Sequence, residues 1–131
     1  MSNIKCYKCD FRFNNEEGLQ IHYRKCIYYR YSCLNLIDIS NSVIDDIILI
    51  SNLLLLNPTM PFISKNNILI NLKLRIKFNK KNTDIINCIY NIIENLDIQI
   101  FNYDDIVSTI SKIIAVPIES IIAINNLFYT V

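Results

Sequence analysis

Cys6-Tyr7-Lys8-Cys9 is followed, after twelve residues, by His22 and, after three more, by Cys26. This spacing constrains the fold more than anything else in the chain. Two thiols with two residues between them can be offered to one metal ion from a tight hairpin turn, and an i, i+4 pair presents both side chains on one face of a helix. Hairpin and helix together supply four donors in a tetrahedron, the coordination that Zn2+ takes in structural sites. The competing arrangement is a Cys6–Cys9 redox or disulfide pair with His22 an ordinary surface residue. An intracellular redox pair is expected beside a βαβ pattern, which this N-terminal stretch lacks. Cys33 is the alternative fourth ligand, weaker because it lies beyond the helix that would carry His22.

Between the ligand pairs, Phe13 and Leu19 stand where they can pack under the metal, and Ile4 can add a third apolar side chain from the first strand. So small a core cannot fold about thirty residues unaided, so metal binding has to supply most of the stability. Asn14-x-x-Glu17 offers a reciprocal cap for the helix. The pattern Ile4-x-Cys6-x2-Cys9-x3-Phe13-x5-Leu19-x2-His22-x3-Cys26 resembles the C2H2 zinc-finger family, in its variant with cysteine as the last ligand. It departs from that family in Ile4, where an aromatic is usual, in Cys26, and in standing alone with no second finger or inter-finger linker.

The resemblance implies a ββα unit over residues 1–30 with one structural Zn2+ on Cys6, Cys9, His22 and Cys26. It also implies that the base-reading helix positions −1, 3 and 6 fall on Asn15, Gly18 and Ile21. Only Asn15 could bond a base edge; Gly18 has no side chain and Ile21 no hydrogen-bonding group. Gly18 and Ile21, three apart on one helical face, instead suit an apolar protein contact, either with an outside partner or with Ile27, Tyr28, Tyr29 or the helix after Ser42.

Beyond the finger, Ile27-Tyr28-Tyr29-Arg30-Tyr31 reads as a strand or a docking segment. Ser42 opens a helix that runs to Asn57-Pro58. The clearest strand places Ile68, Ile70, Leu72, Leu74, Ile76 and Phe78 on one face, with Lys73, Arg75 and Lys77 among the residues on the other and Lys80 and Lys81 close behind. Such a row could follow a phosphate backbone, or be a solvated edge kept from aggregating by lysines. Thr83-Asp84 opens a helix, a short strand follows at Ile98 to Phe101, Asp104-Asp105 open another helix, and Val116-Pro117 divides it from a last one through Phe128. The expected fold class is α+β: a small ββα finger, then a mainly helical domain over residues 31–131 with one or two strands.

Composition narrows the function. The 131 residues carry a formal net charge of +1, with a single glycine and a single histidine. With Gly18 alone, neither a P-loop nor a dinucleotide-binding turn can be built. With His22 committed to metal, Ser-His and Cys-His nucleophiles are excluded, and Asp45-Asp46 and Asp104-Asp105 read as helix starts rather than catalytic pairs. The expectation is therefore no enzyme and no small-molecule substrate. The stretch Ile47 to Leu56 is too short and too polar to span a bilayer, and no membrane is expected. Up to Arg30, the six basic residues Lys5, Lys8, Arg12, Arg24, Lys25 and Arg30 face only Asp10, Glu16 and Glu17; the rest of the chain is slightly acidic.

Ile and Asn make up about a third of the sequence, which fits an AT-biased genome such as that of a large DNA virus. Cys33 and Cys88 stand in apolar sequence and read as free buried thiols of a reducing, intracellular compartment, cytoplasm or nucleus. The function expected from all this is a zinc-binding, non-enzymatic protein-interaction factor, adaptor or regulatory. The alternative is a nucleic-acid-associated factor that uses basic surfaces such as Lys73, Arg75 and Lys77.

Overall fold

A computed structural model describes residues 4–59, 61–78 and 81–129. The chain begins with a hairpin of β1 (Ile4–Lys5) and β2 (Arg12–Phe13), in which Ile4 pairs with Phe13 and Lys5 with Arg12. Helix α1 (Glu16–Tyr23) follows, then the short α2 (Ile27–Ser32) and α3 (Asn41–Leu53). A second antiparallel pair joins β3 (Ile63–Ser64) to β4 (Ile100–Phe101) and encloses α4 (Lys65–Phe78) and α5 (Thr83–Asn95). Helices α6 (Tyr103–Ile114) and α7 (Ile118–Tyr129) complete the described fold, which is of the mixed α and β type expected.

Among the described residues, nineteen buried ones from Tyr31 to Ile124 form the main core, while Cys6, Leu19 and Cys26 form a separate one around the hairpin. Burying an aliphatic side chain contributes about 1.5–3 kcal/mol. Apolar burial in the main core therefore far exceeds that in the small one. No single helix among the described residues is long and apolar enough to cross a membrane; α6 and α7 pass such a test only as a pair, and they meet at 115°.

Local signals set most helix ends. Asn102 and Asp105 cap α6 reciprocally, the Asn102 side chain accepting the Asp105 amide at 2.8 Å and Asp105 accepting the Asn102 amide at 3.1 Å. Helix α3 starts earlier than Ser42, because Ser40 is its cap. It also stops short of Pro58. Leu55 takes a left-handed backbone (φ 58°), and that turn drops both Leu54 and Leu56 into the core.

Two expectations are overturned. The segment Ile68 to Phe78 is not a strand but lies in α4. An isolated strand of that length would need a partner for every other amide, and the sheet beside it offers only the two-residue β3–β4 pair; a helix satisfies its own backbone. Wound at 3.6 residues per turn, the period-2 pattern scatters round the helix. Ile68 and Leu72, four apart, are fully buried, whereas Ile70, Leu74 and Phe78 are exposed. The cationic row is broken with it. Lys73 and Lys77 share a face, Lys73 lying over the Tyr90 ring at 5.5 Å, while Arg75 points about 200° away from Lys73. Lys80 lies outside the described residues. Ile27 to Tyr31 is likewise helical, its second half driven into the core by Tyr31.

Lys65, silent in the sequence, is buried at the start of α4. Its ammonium donates to the Glu94 carbonyl at 2.9 Å and to that of Leu96, closing the C-terminal end of α5. Hydrogen bonds from a charged donor contribute about 1.5–3 kcal/mol, and Lys65→Met leaves two carbonyls without it. Urea unfolding followed by circular dichroism is expected to show a loss of about 2 kcal/mol with zinc content unchanged.

Candidate metal centre

The hairpin places the first two ligands through a tight backbone loop. The Cys6 amide donates to the Phe11 carbonyl at 2.8 Å, the Asp10 amide to the Cys6 carbonyl at 3.1 Å, and Asp10 adopts a left-handed conformation (φ 65°), which short polar side chains tolerate best after glycine. The helix is capped by Asn15, not Asn14: Asn15 Oδ1 accepts the Gly18 amide at 2.8 Å. Asn14 falls in the bend between β2 and α1, one residue too early to reach that amide. Leu19 is buried beneath the cluster and Phe13 packs beside it, as expected.

The ligand atoms of Cys6, Cys9, His22 and Cys26 all lie within 4.8 Å of one another, with Cys9 Sγ 3.2 Å from His22 Nε2. Metal–sulfur bonds of about 2.3 Å and metal–nitrogen bonds of about 2.0 Å give a tetrahedron with edges of roughly 3.4–3.8 Å, so the four donors need shifts of no more than about 1 Å to fit one ion. Cys6 and Cys26 are buried, and Cys9 and His22 half-buried, so the donors turn inward from solvent. Three sulfurs and an imidazole are a donor set that suits Zn2+. Cys33, the alternative ligand, is exposed at the end of α2 and is not in the cluster. Cys88 is exposed as well, on the outer side of α5, so the expectation that both spare thiols are buried fails. Cys33 caps the end of α2, and Cys88 is exposed although it borders an apolar cleft with Ile85, Ile89, Ile92 and Ile113.

Cys26 occupies the junction of two helices. Its amide donates to the His22 carbonyl at 2.8 Å and closes α1, while its carbonyl accepts the Arg30 amide at 2.9 Å and opens α2. From there α2 reaches the main core. The Tyr31 hydroxyl meets the Ile37 carbonyl at 2.8 Å and Ser120 Oγ at 2.9 Å, Arg30 donates to the Leu127 carbonyl at 3.1 Å, and Tyr28 donates to Asp45. Asn41 adds a hydrogen bond to the Lys8 carbonyl in the hairpin turn. Tyr28 packs on both cores. Sequence reading saw a docking segment here but missed that a metal ligand begins it.

The expected contact residues separate. Gly18 is half-buried, and a Cβ there would stand 3.3 Å from Asn15 Oδ1 and 3.5 Å from a Phe13 ring carbon, so the glycine serves close packing of helix on hairpin and not an open strip. Ile21 is 49% exposed, so neither α2 nor α3 covers it. Lys73, Arg75 and Lys77 lie on α4, remote in sequence and fold from the cluster. No protein-family model matches the chain, and neither the curated proteins nor the solved structures yield a match.

Burial pushes the Cys26 thiol up to about 11, with the neighbouring Cys9 and Cys6 sulfurs adding to the rise. Burial also acts upward on Cys6, but hydrogen bonds from the Lys8 and Cys9 amides outweigh it, and the Cys6 thiol is lowered. At neutral pH Cys26 therefore keeps its proton until a cation displaces it, and metal uptake releases protons. Zinc affinity is expected to rise with pH through the neutral range and to fall on acidification, which competition with a chromophoric chelator measures. One zinc per chain is expected by metal analysis, with Cys6→Ser losing it and Cys26→His retaining it.

Proposed function

We propose that the chain is a zinc-binding, non-enzymatic interaction factor in which a C2H2-type finger, with Cys26 as its last ligand, is built onto a helical domain. The observation that carries this reading is the Cys3His cluster whose fourth ligand also starts the helix docked in the main core. Metal at such a site organises structure: four protein donors fill a tetrahedron and leave no open position for a substrate. The proposed division is a finger over residues 1–30 and a domain over residues 31–131; supporting it, the described residues hold two separate cores, with α2 packed on both.

The acidic pairs support a non-catalytic reading. Asp45 accepts a hydrogen bond from Tyr28, and Asp105 is engaged in the α6 cap. Protein contact is the role proposed for the outer face of α1, where Ile21 is an exposed apolar side chain with no use in the finger's own core.

Chelation of the metal is expected to abolish the hairpin and α1 while the helices of the main core persist, since only the small core lacks sufficient apolar burial. Far-ultraviolet circular dichroism with and without a chelator reads this as a partial, not complete, loss of helix. A purified partner identified with the parent chain should lose at least tenfold in affinity to Ile21→Asp and little to Asn15→Ala. Equal binding by the Ile21 variant removes this face from the interaction.

A further inference from the structure

The rings around the metal cluster form one connected band. Tyr7 meets Tyr29 edge-on with centroids 5.9 Å apart, Tyr29 stacks on Tyr23 at 4.0 Å, Tyr23 stands 6.2 Å from His22, and Phe11 lies nearly parallel to His22 at 6.0 Å. Both ends of the band are open: Tyr7 is 64% and Phe11 61% exposed. Neither ring is needed for the small core, which Leu19 and Phe13 fill.

Cations accompany the rings. Lys8 lies 5.3 Å from the centre of the Tyr7 ring, and in sequence Arg12 adjoins Phe11 and Arg24 follows Tyr23, both exposed. The acids are set apart or paired. Glu16 and Glu17 occupy the first turn of α1, five and six residues before His22 and so roughly 8–9 Å along the helix axis from the ring that Phe11 faces. Asp10 is held by Lys5 at 3.0 Å.

We propose that this band is a stacking platform for single-stranded nucleic acid. Unpaired bases stack on the outer faces of Tyr7 and Phe11, and the phosphates run against Lys8, Arg12 and Arg24. The strand has to be single because a duplex hides its base faces, and the α1 surface that would enter a groove lacks donors at Gly18 and Ile21. Cations interleaved with open rings favour a polyanion with flat apolar faces over an apolar protein surface. The proposal rests on the metal-held hairpin and goes beyond the protein contact assigned to Ile21.

The test uses the full-length, zinc-loaded chain and fluorescein-labelled oligo-dT and oligo-U of about 12 nucleotides, a length within the usual range of single-strand sites, beside a duplex of equal length. Anisotropy gives affinity. The chain has no tryptophan and eight tyrosines, so the part of the tyrosine quenching that Tyr7→Ala removes reports stacking on that ring. The single strand should bind more tightly than the duplex, Tyr7→Ala and Phe11→Ala should each weaken it about tenfold, and Tyr7→Phe should restore it. The Lys8→Gln, Arg12→Gln, Arg24→Gln triple variant should reduce the slope of log affinity against log salt by about 2. Absence of binding at low salt, preference for the duplex, undiminished affinity of the Tyr7→Ala, Phe11→Ala double variant, or displacement by polyglutamate as effective as by unlabelled oligonucleotide would each overturn the platform. Zinc measured on the same samples separates the two readings: zinc without strand binding removes the platform alone, and a chain without zinc removes both.

Discussion

Cys26 is the residue on which the rest of the structure turns. Its amide ends one helix, its carbonyl begins the next, and its thiol points into a cluster of four donors. A side chain fixed by a metal ion fixes its own backbone, and here that backbone is the first turn of the helix that carries Tyr31 into the main core. Apparent binding free energies of about 10–16 kcal/mol for structural zinc exceed what Leu19 and the half-buried Phe13 contribute to the small core. A metal ion on the four donors would thus hold the hairpin and α1 from the metal outward, and α2 would pass that order on to the main core.

The junction combines polar and apolar links of different strength. Tyr31 is 3% exposed, and its hydroxyl is satisfied on both sides by Ile37 and Ser120, so it cannot leave without stranding a buried polar group. Tyr28 is nearer the surface, and its hydrogen bond to Asp45 raises the phenol to about 12, so it stays protonated and keeps donating throughout the neutral range. Together these contacts set the hairpin against the start of α3, where Asn41 meets the Lys8 carbonyl.

This arrangement divides the finger surface. The face of α1 bearing Gly18 is spent on packing against Phe13, leaving Ile21 exposed beyond it, while the hairpin carries the exposed rings Tyr7 and Phe11, with Lys8 over Tyr7. The two proposed contacts therefore fall on different faces, the protein contact on the outer face of α1 at Ile21 and the strand platform on the hairpin side with Tyr7 and Phe11.

The clustering of Cys6, Cys9, His22 and Cys26, the two small-core residues Phe13 and Leu19, and the helices opening at Thr83, near Asp104 and after Pro117 were legible in the sequence alone, because each depends on contacts within a few residues or on spacing that only one geometry satisfies. The cap at Asn15, one residue from the site expected, shows how far such local reading holds. Tertiary structure decided the rest. The period-2 run from Ile68 to Phe78 became α4 because no strand stood ready to pair with it, and the Ile27–Tyr31 segment became α2 because the backbone of Cys26 and the pocket for Tyr31 both asked for a helix. Lys65, buried to close the end of a helix about thirty residues away, and the ring band from Tyr7 to Phe11 left no local signal, since a chain's pattern records which residues must be buried but not which distant groups will meet them.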